Sequence, residues 1–309
     1  MFIVKFQVDN PWIAGRLFKL MQDTFDQDPI QFQGDVGGYD TSGRFFVEGS
    51  RVRLAQATSD PALAAFVASH SQMPMQAATL TTDDWPYFYQ HEPGLPLSVI
   101  LVSLAVLITS GWFVRQTGGS PRSDELHFMF LGAGFMLLEA QIVSKMALLF
   151  GTTWVVNAIV VSGLLCLIVA ANLVYSAWPR IPQGGAYAGL FISLAVMFAV
   201  PVRSLFLESW ASRATVASIV LCLPVFFAGI IFVSSFARAG FRGKALGSNL
   251  FGSLLGGVLE SFSLWFGLKS LTILAAVLYL LSAIFLYAEG AGKRDVTGVQ
   301  RSTTPEVLS

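Results

Sequence analysis

Leu95-Pro-Leu-Ser-Val-Ile-Leu-Val-Ser-Leu-Ala-Val-Leu-Ile-Thr-Ser-Gly-Trp-Phe-Val114 is one apolar run without a charged side chain, and it divides the chain in two. A helix that crosses a bilayer needs about 20 mainly apolar residues, and this run supplies them. Six further runs follow it, over residues 127 to 150, 153 to 177, 186 to 202, 214 to 236, 246 to 267 and 270 to 288. The expected fold is therefore mostly α, a polytopic transmembrane helical bundle of about seven spans. The fourth run, from Ala186 to Pro201 ahead of Arg203, is the shortest, and a six-span arrangement follows if it lies in the interface. Pro224, in the middle of the fifth, removes one backbone hydrogen bond and predicts a kink.

Composition agrees with this division. Of the 309 residues 54% are hydrophobic and only 12% charged, where soluble proteins carry about 25% charged residues. Nineteen basic residues balance 19 acidic ones, so no basic field points to nucleic acid as a partner. Cys166 and Cys222 both fall inside apolar runs, where neither a disulfide framework nor a thiolate metal site is expected. The opening Met1 to Asp9 is broken by Lys5 and Asp9, so it reads as a strand and not as a secretory signal.

Orientation is read from lysine and arginine. With seven spans, one face collects Arg115, Arg122, Arg180, Arg238, Arg242, Lys244, Lys293 and Arg294, while the loops on the N-terminal face hold Arg203, Arg213 and Lys269. That asymmetry predicts a membrane protein whose C-terminus is cytoplasmic and whose N-terminal domain is outside. Residues 1–92 read as a small soluble α/β domain, 93–290 as the membrane domain and 291–309 as a disordered polar tail.

In the soluble part, Asn10-Pro11 supplies a cap and a first-turn proline for a helix. Trp12, Ile13, Leu17, Leu20, Met21 and Phe25 form its apolar stripe, with Lys19, Asp23 and Asp26 largely opposite. A second strand over Arg44–Gly49 follows the turn-rich Gly37–Gly43, and Asp60-Pro61 opens a short helix. This is a thin core for 92 residues.

Four stretches carry a family resemblance: Thr82-Asp-Asp-Trp-Pro-Tyr-Phe-Tyr89, Phe130-Leu-Gly-Ala-Gly-Phe-Met-Leu-Leu-Glu139, Leu149-Phe-Gly-Thr-Thr-Trp-Val-Val-Asn157 and Ala245-Leu-Gly-Ser-Asn-Leu-Phe-Gly252. They resemble the C-terminal portion of bacterial membrane-bound spermidine-synthase-like proteins. In that family the resemblance implies a preceding Rossmann-like domain of the aminopropyltransferase and methyltransferase type, whose glycine-rich loop would hold an S-adenosyl cofactor. Here Gly37-Gly38 and Gly118-Gly119 are isolated pairs, Asp35 and Asp40 lie in a turn-rich loop, and no such motif follows a strand. The strand and helix of residues 2 to 26 look like the closing elements of that fold, and no cofactor is expected on this chain.

Ionisable groups inside spans are costly and mark a pathway, a site or a buried pair. Glu139, Gln141, Lys145, Asn157 and Glu260 form the candidate intramembrane polar cluster. At about 1.5 Å per residue, Lys145 and Glu260 reach similar depths near Asn157. They read as a structural ion pair, a substrate or proton path, or a lipid-headgroup site. Ser248, Gly252 and Gly256 recur every four residues beside Asn249, Ser253 and Gly257, giving a small-residue face for tight packing or for an interface between subunits. Asp83-Asp84 reads as a turn before an interfacial aromatic belt, and His70, His91 and His127 as surface or boundary residues without metal-ligand spacing.

The expected function is that of a non-enzymatic membrane anchor or subunit of a larger assembly. Its partners are the lipid bilayer and either another membrane protein or a second copy. A transporter of small polar or cationic compounds and a polyamine-type transferase completed by another chain are the alternatives.

Overall fold

The computed structural model describes residues 1–8, 10–34, 43–71, 75–116 and 122–302, without the side chains of 155 and 289–302. The glycine pairs at 37–38 and 118–119, Asp35 and Asp40 lie outside the described residues. The chain divides into two compact units, Met1–Gly94 and Leu95–Ser309.

The first unit runs β1 (Phe2–Phe6), α1 (Pro11–Phe25), β2 (Ile30–Gln33), β3 (Arg44–Glu48), α2 (Arg51–Thr58) and α3 (Pro61–His70). β3 lies between β1 and β2 and is antiparallel to both, with Phe46 opposite Val4 on one side and Gln31 on the other. β1 and β2 therefore run in the same direction, joined by α1. Paired residues share a face. Phe46 looks toward α1, where Ala14 and Met21 complete a small core. Phe45 looks the other way and stacks on Phe32, which meets Phe66 of α3 edge-on. Among the described residues β1 pairs only with β3, and Phe2 and Ile3 remain exposed.

Pro11 occupies the first turn of α1, as its lost amide donor allows. Asn10 stands at the cap position in extended backbone but makes no side-chain bond. Asp60 caps α3 by accepting from the Ala62 and Leu63 amides. On α1 the expected stripe is only partly inside: Ile13 and Met21 are buried and Phe25 is exposed. Arg16 is wholly buried.

The second unit runs α4 (Leu97–Gln116), α5 (Ser123–Phe150), α6 (Trp154–Ala177), α7 (Gln183–Ala199), a 3-10 turn (Val202–Leu205), α8 (Trp210–Arg238), α9 (Arg242–Glu260), α10 (Ser263–Phe266) and α11 (Leu268–Ser302). Five helices are long and apolar enough to cross a membrane: α4, α5, α6 from Val156, α8 and α11 to Ala288. The expected count of about seven is therefore not reached on this criterion. α7 is apolar but only 17 residues long, and α9, which carries Arg242, Lys244, Asn249 and Glu260, is not among the five. α8 continues through Pro224 as one helix. Gly151, with φ at +90°, ends α5 in a conformation that side chains disfavour, and α6 starts three residues later at Trp154. The polar tail expected over 291–309 falls on residues whose side chains, or whose whole placement from 303 on, lie outside those described.

α5 lies inside the bundle. α9 and α11 pack most extensively on it, α6 and α8 also touch it, and α7 packs mainly on α8. Leu137, Leu138 and Ile142 of α5, Leu190 and Met197 of α7, Ile231 of α8 and Leu271 and Tyr279 of α11 are fully enclosed. The α5–α9 seam is closed by missing side chains. A Cβ at Gly132 would strike the Asn249 carbonyl, one at Gly252 the Met129 carbonyl, and one at Gly256 would come 2.5 Å from the Ala133 carbonyl. Asn249 Nδ2 donates to the Phe128 carbonyl at 3.2 Å, and Ser253 Oγ to the Gly132 carbonyl at 3.4 Å. Residue numbers rise together along the seam, so α5 and α9 run in parallel. Ser248 is half-buried.

Candidate functional site: polar groups inside the helical unit

Gln141, fully buried on α5, is held by α11. Its Nε2 donates to the Leu268 carbonyl at 2.7 Å and to Thr272 Oγ1 at 2.6 Å, while the Thr272 hydroxyl donates back to Oε1 at 2.9 Å. One helical turn later Lys145, 4% exposed, donates to the Met197 carbonyl at 3.3 Å. That carbonyl belongs to the last turn of α7, where unsatisfied oxygens and the negative end of the helix dipole favour a cation.

The remaining members of the sequence cluster lie elsewhere. Glu139 and Glu260, the latter the last residue of α9, are both half-buried, and neither carboxylate has a hydrogen bond or ion pair among the described residues. Asn157 is exposed on α6. The expected Lys145–Glu260 pair is not formed, and the reason is azimuth. Met129, Gly132, Ala133 and Met136 turn toward α9, whereas Ser123, His127, Gly134 and Gln141 turn toward α11. Lys145, four residues after Gln141, shares the α11 side of the helix. The level differs as well: with Gly252 on Met129 and Gly256 on Ala133, Glu260 falls nearest Leu137, about two turns before Lys145. Glu139, three residues past Met136, and Glu260, four past Gly256, instead lie along the α5–α9 seam.

Toward the start of α5 lies a second buried polar group that sequence reading missed. His127, expected at a membrane boundary, is 1% exposed, with Nδ1 2.8 Å from Ser282 Oγ and 3.0 Å from the Ser282 carbonyl. Ser282 Oγ lies 3.0 Å from Tyr187 Oη, so α5, α7 and α11 meet in one hydrogen-bonded group. Gln183 Nε2 adds α8 by donating to Ser235 Oγ at 2.9 Å. Tyr279, three residues before Ser282, is buried with its ring against Gly134, and its hydroxyl has no hydrogen-bond partner among the described residues. The isolated polar letters in the apolar runs 127–150 and 270–288 were the available signal.

The first unit buries two arginines, Arg16 and Arg44. Arg16 donates from Nε to the Thr79 carbonyl at 2.7 Å, from Nη1 to the Phe88 carbonyl at 2.5 Å and from Nη2 to the His91 carbonyl at 2.8 Å. Its guanidinium also lies 5.0 Å from the Trp12 ring and 5.5 Å from the Trp85 ring. Burial pulls its pKa down, although a guanidinium stays protonated at any working pH. This corrects the aromatic-belt reading of Trp85–Tyr89: Trp85 is buried against Arg16, and of that stretch Tyr89 is the exposed residue. A lone arginine among apolar letters gave no sign of this, because a charge on an amphipathic helix is ordinarily solvated.

Chemically, these groups hold helices and loops together through donors aimed at backbone carbonyls. Among the described residues no set of three or more His, Cys, Asp or Glu side chains is placed to hold a metal ion. Compared with known protein families, curated proteins and solved structures, the chain matches none.

Proposed function

We propose that the chain is a non-enzymatic, multi-pass membrane protein that anchors, or forms a subunit of, a larger assembly, related to the membrane part of spermidine-synthase-like proteins. The observation that carries this reading is the use made of Gln141 and Lys145. Each makes a helix-to-helix bond to a backbone carbonyl, whereas a reaction centre would leave such groups facing a shared cavity. α4 adds support, because it is an apolar helix of spanning length with none of its most apolar window buried within this chain.

In this reading α7 and α9 cross the membrane with the five longer helices. α7 bonds Ser282 near one end of the bundle through Tyr187 and takes Lys145 near the other through Met197. An odd number of crossings puts the chain's ends on opposite sides, and the lysine and arginine asymmetry places Ser309 in the bacterial cytoplasm. Purification of the full chain in mild detergent, with mass analysis of everything that stays bound, is expected to return stoichiometric protein partners. Recovery of the chain alone, in active uptake-competent form, overturns the reading.

Glu139 and Glu260 favour a second reading, a transporter of small cationic compounds: both are half-buried carboxylates on one seam, without a partner among the described residues. Its test is pH-dependent uptake that disappears in Glu139→Gln. β1 and β2, which run the same way on either side of β3 and are joined by α1, together with the second edge of β1, which pairs with no strand among the described residues, favour a transferase domain completed by another chain. Co-purification of an S-adenosyl-binding polypeptide would support that one.

A further inference from the structure

A cleft of about 620 Å³ lies between α6 and α8, floored by Met146 and Phe150 of α5. Its walls are almost entirely apolar. On α6 they run from Val156 to Ala170 and on α8 from Trp210 to Leu223, which at 1.5 Å per residue gives a groove about 20 Å long, parallel to the helix axes. Gly163 widens it at mid-length, since a Cβ there would meet no atom within 4 Å.

We propose that this groove holds one acyl chain of a phospholipid. Both walls belong to helices of spanning length, so the groove opens where only hydrocarbon is available to fill it. A groove of this length, lined almost wholly by apolar side chains and running along the helix axes, has the form of one extended hydrocarbon chain. One end is marked as the interfacial end. Trp210 stands there edge-on to Phe150, and Trp154 at the start of α6 is exposed; tryptophans of this kind sit at the headgroup level. Arg213, on the first turn of α8, is pinned there by Nε and Nη2 bonds to the Leu207 carbonyl at 3.1 and 2.8 Å. Its Nη1 makes no hydrogen bond among the described residues and stands near the amide-rich start of the helix, a setting that suits a phosphate. From that mouth the groove descends past Cys166 to Cys222, beyond the middle of a hydrocarbon core about 30 Å thick. The site is independent of whether the chain is an anchor or a transporter.

The test uses the full chain in phosphatidylcholine vesicles containing a trace of phosphatidylcholine with a photoactivatable diazirine on one acyl chain. After irradiation, peptides of α6 and α8 are expected to carry at least fivefold more label than those of α4, a helix of spanning length with no residue of its apolar window buried within the chain. Gly163→Phe, which fills the groove, should bring α6 and α8 down to the α4 level. Ala214→Leu, a smaller intrusion from the opposite wall, should reduce the excess partially and serves if the phenylalanine variant does not fold. Arg213→Gln should weaken retention of the lipid through detergent washing by several fold. Equal labelling of α4, α6 and α8 in the unaltered protein, or an excess that survives filling of the groove, overturns the proposal.

Discussion

Lys145 Nζ donates to the carbonyl of Met197 across 3.3 Å, so a buried ammonium of α5 closes the last turn of α7. Lys145→Met keeps the length of the side chain and removes the buried charge together with its bond. These effects oppose each other, and the unfolding midpoint in detergent should move by an amount worth about 1 kcal/mol or less. Lys145→Glu sets a carboxylate against a carbonyl and should cost about 3 kcal/mol or more. Equal midpoints for the two variants would remove Lys145 from the packing of α7.

Gln141 and Thr272 exchange bonds inside the bundle, and neither can reach water. Thr272→Val leaves the amide oxygen of Gln141 without its donor and should cost about 1 to 3 kcal/mol. The double variant Gln141→Leu with Thr272→Val should recover part of that loss, because no orphaned polar atom remains. A double-mutant cycle on thermal midpoints gives the coupling, and strict additivity would show that the two side chains act separately.

Gly252 and Gly257 lie on one helix and predict opposite outcomes. A methyl at Gly252 strikes the Met129 carbonyl, which as backbone of a buried helix cannot give way, so Gly252→Ala should force α9 from α5 at a cost of about 1 to 3 kcal/mol. A methyl at Gly257 meets nothing within 4 Å, and Gly257→Ala should be neutral or gain up to about 1 kcal/mol from helix propensity. Fluorescence-detected size exclusion after heating ranks the two.

Arg16 spends all three described donor positions on the carbonyls of Thr79, Phe88 and His91. Arg16→Lys retains the charge but loses the planar fork and the contact with the indoles of Trp12 and Trp85. It should cost about 3 kcal/mol or more, and amide exchange over residues 79–91 should rise by orders of magnitude while α3 keeps its protection. Uniform loosening of the whole first unit would mean that Arg16 supports the fold generally and not that segment.

The sequence made the apolar helices legible and left their sides illegible. α4 and α5 were visible because uninterrupted apolar letters of bilayer length have few other uses, and Asp60-Pro61 marked α3 because a cap and a first-turn proline are local chemistry. α7 falls short of the five through its 17-residue length, and α9 through the charged and amide side chains it carries. Lys145 was assigned a partner by depth, a quantity that residue counting supplies. Among its partners is a backbone atom, the Met197 carbonyl, which no side-chain pattern can reveal. His127 reads as a surface or boundary residue and Arg16 attracts no reading at all, because a charge-bearing letter carries no mark of burial.

The seam between α5 and α9 also sets an order of events in synthesis. The groups that cover α5 arrive late: Asn249 meets Phe128 across 121 residues and Leu268 meets Gln141 across 127. Through that interval the emerging helix carries a bare glycine groove together with Gln141, whereas Lys145 waits only the 52 residues to Met197. The nascent chain thus depends on the insertion machinery to shelter α5 until its cover is made. Chains halted before α9 are the forms that quality-control proteases should remove first.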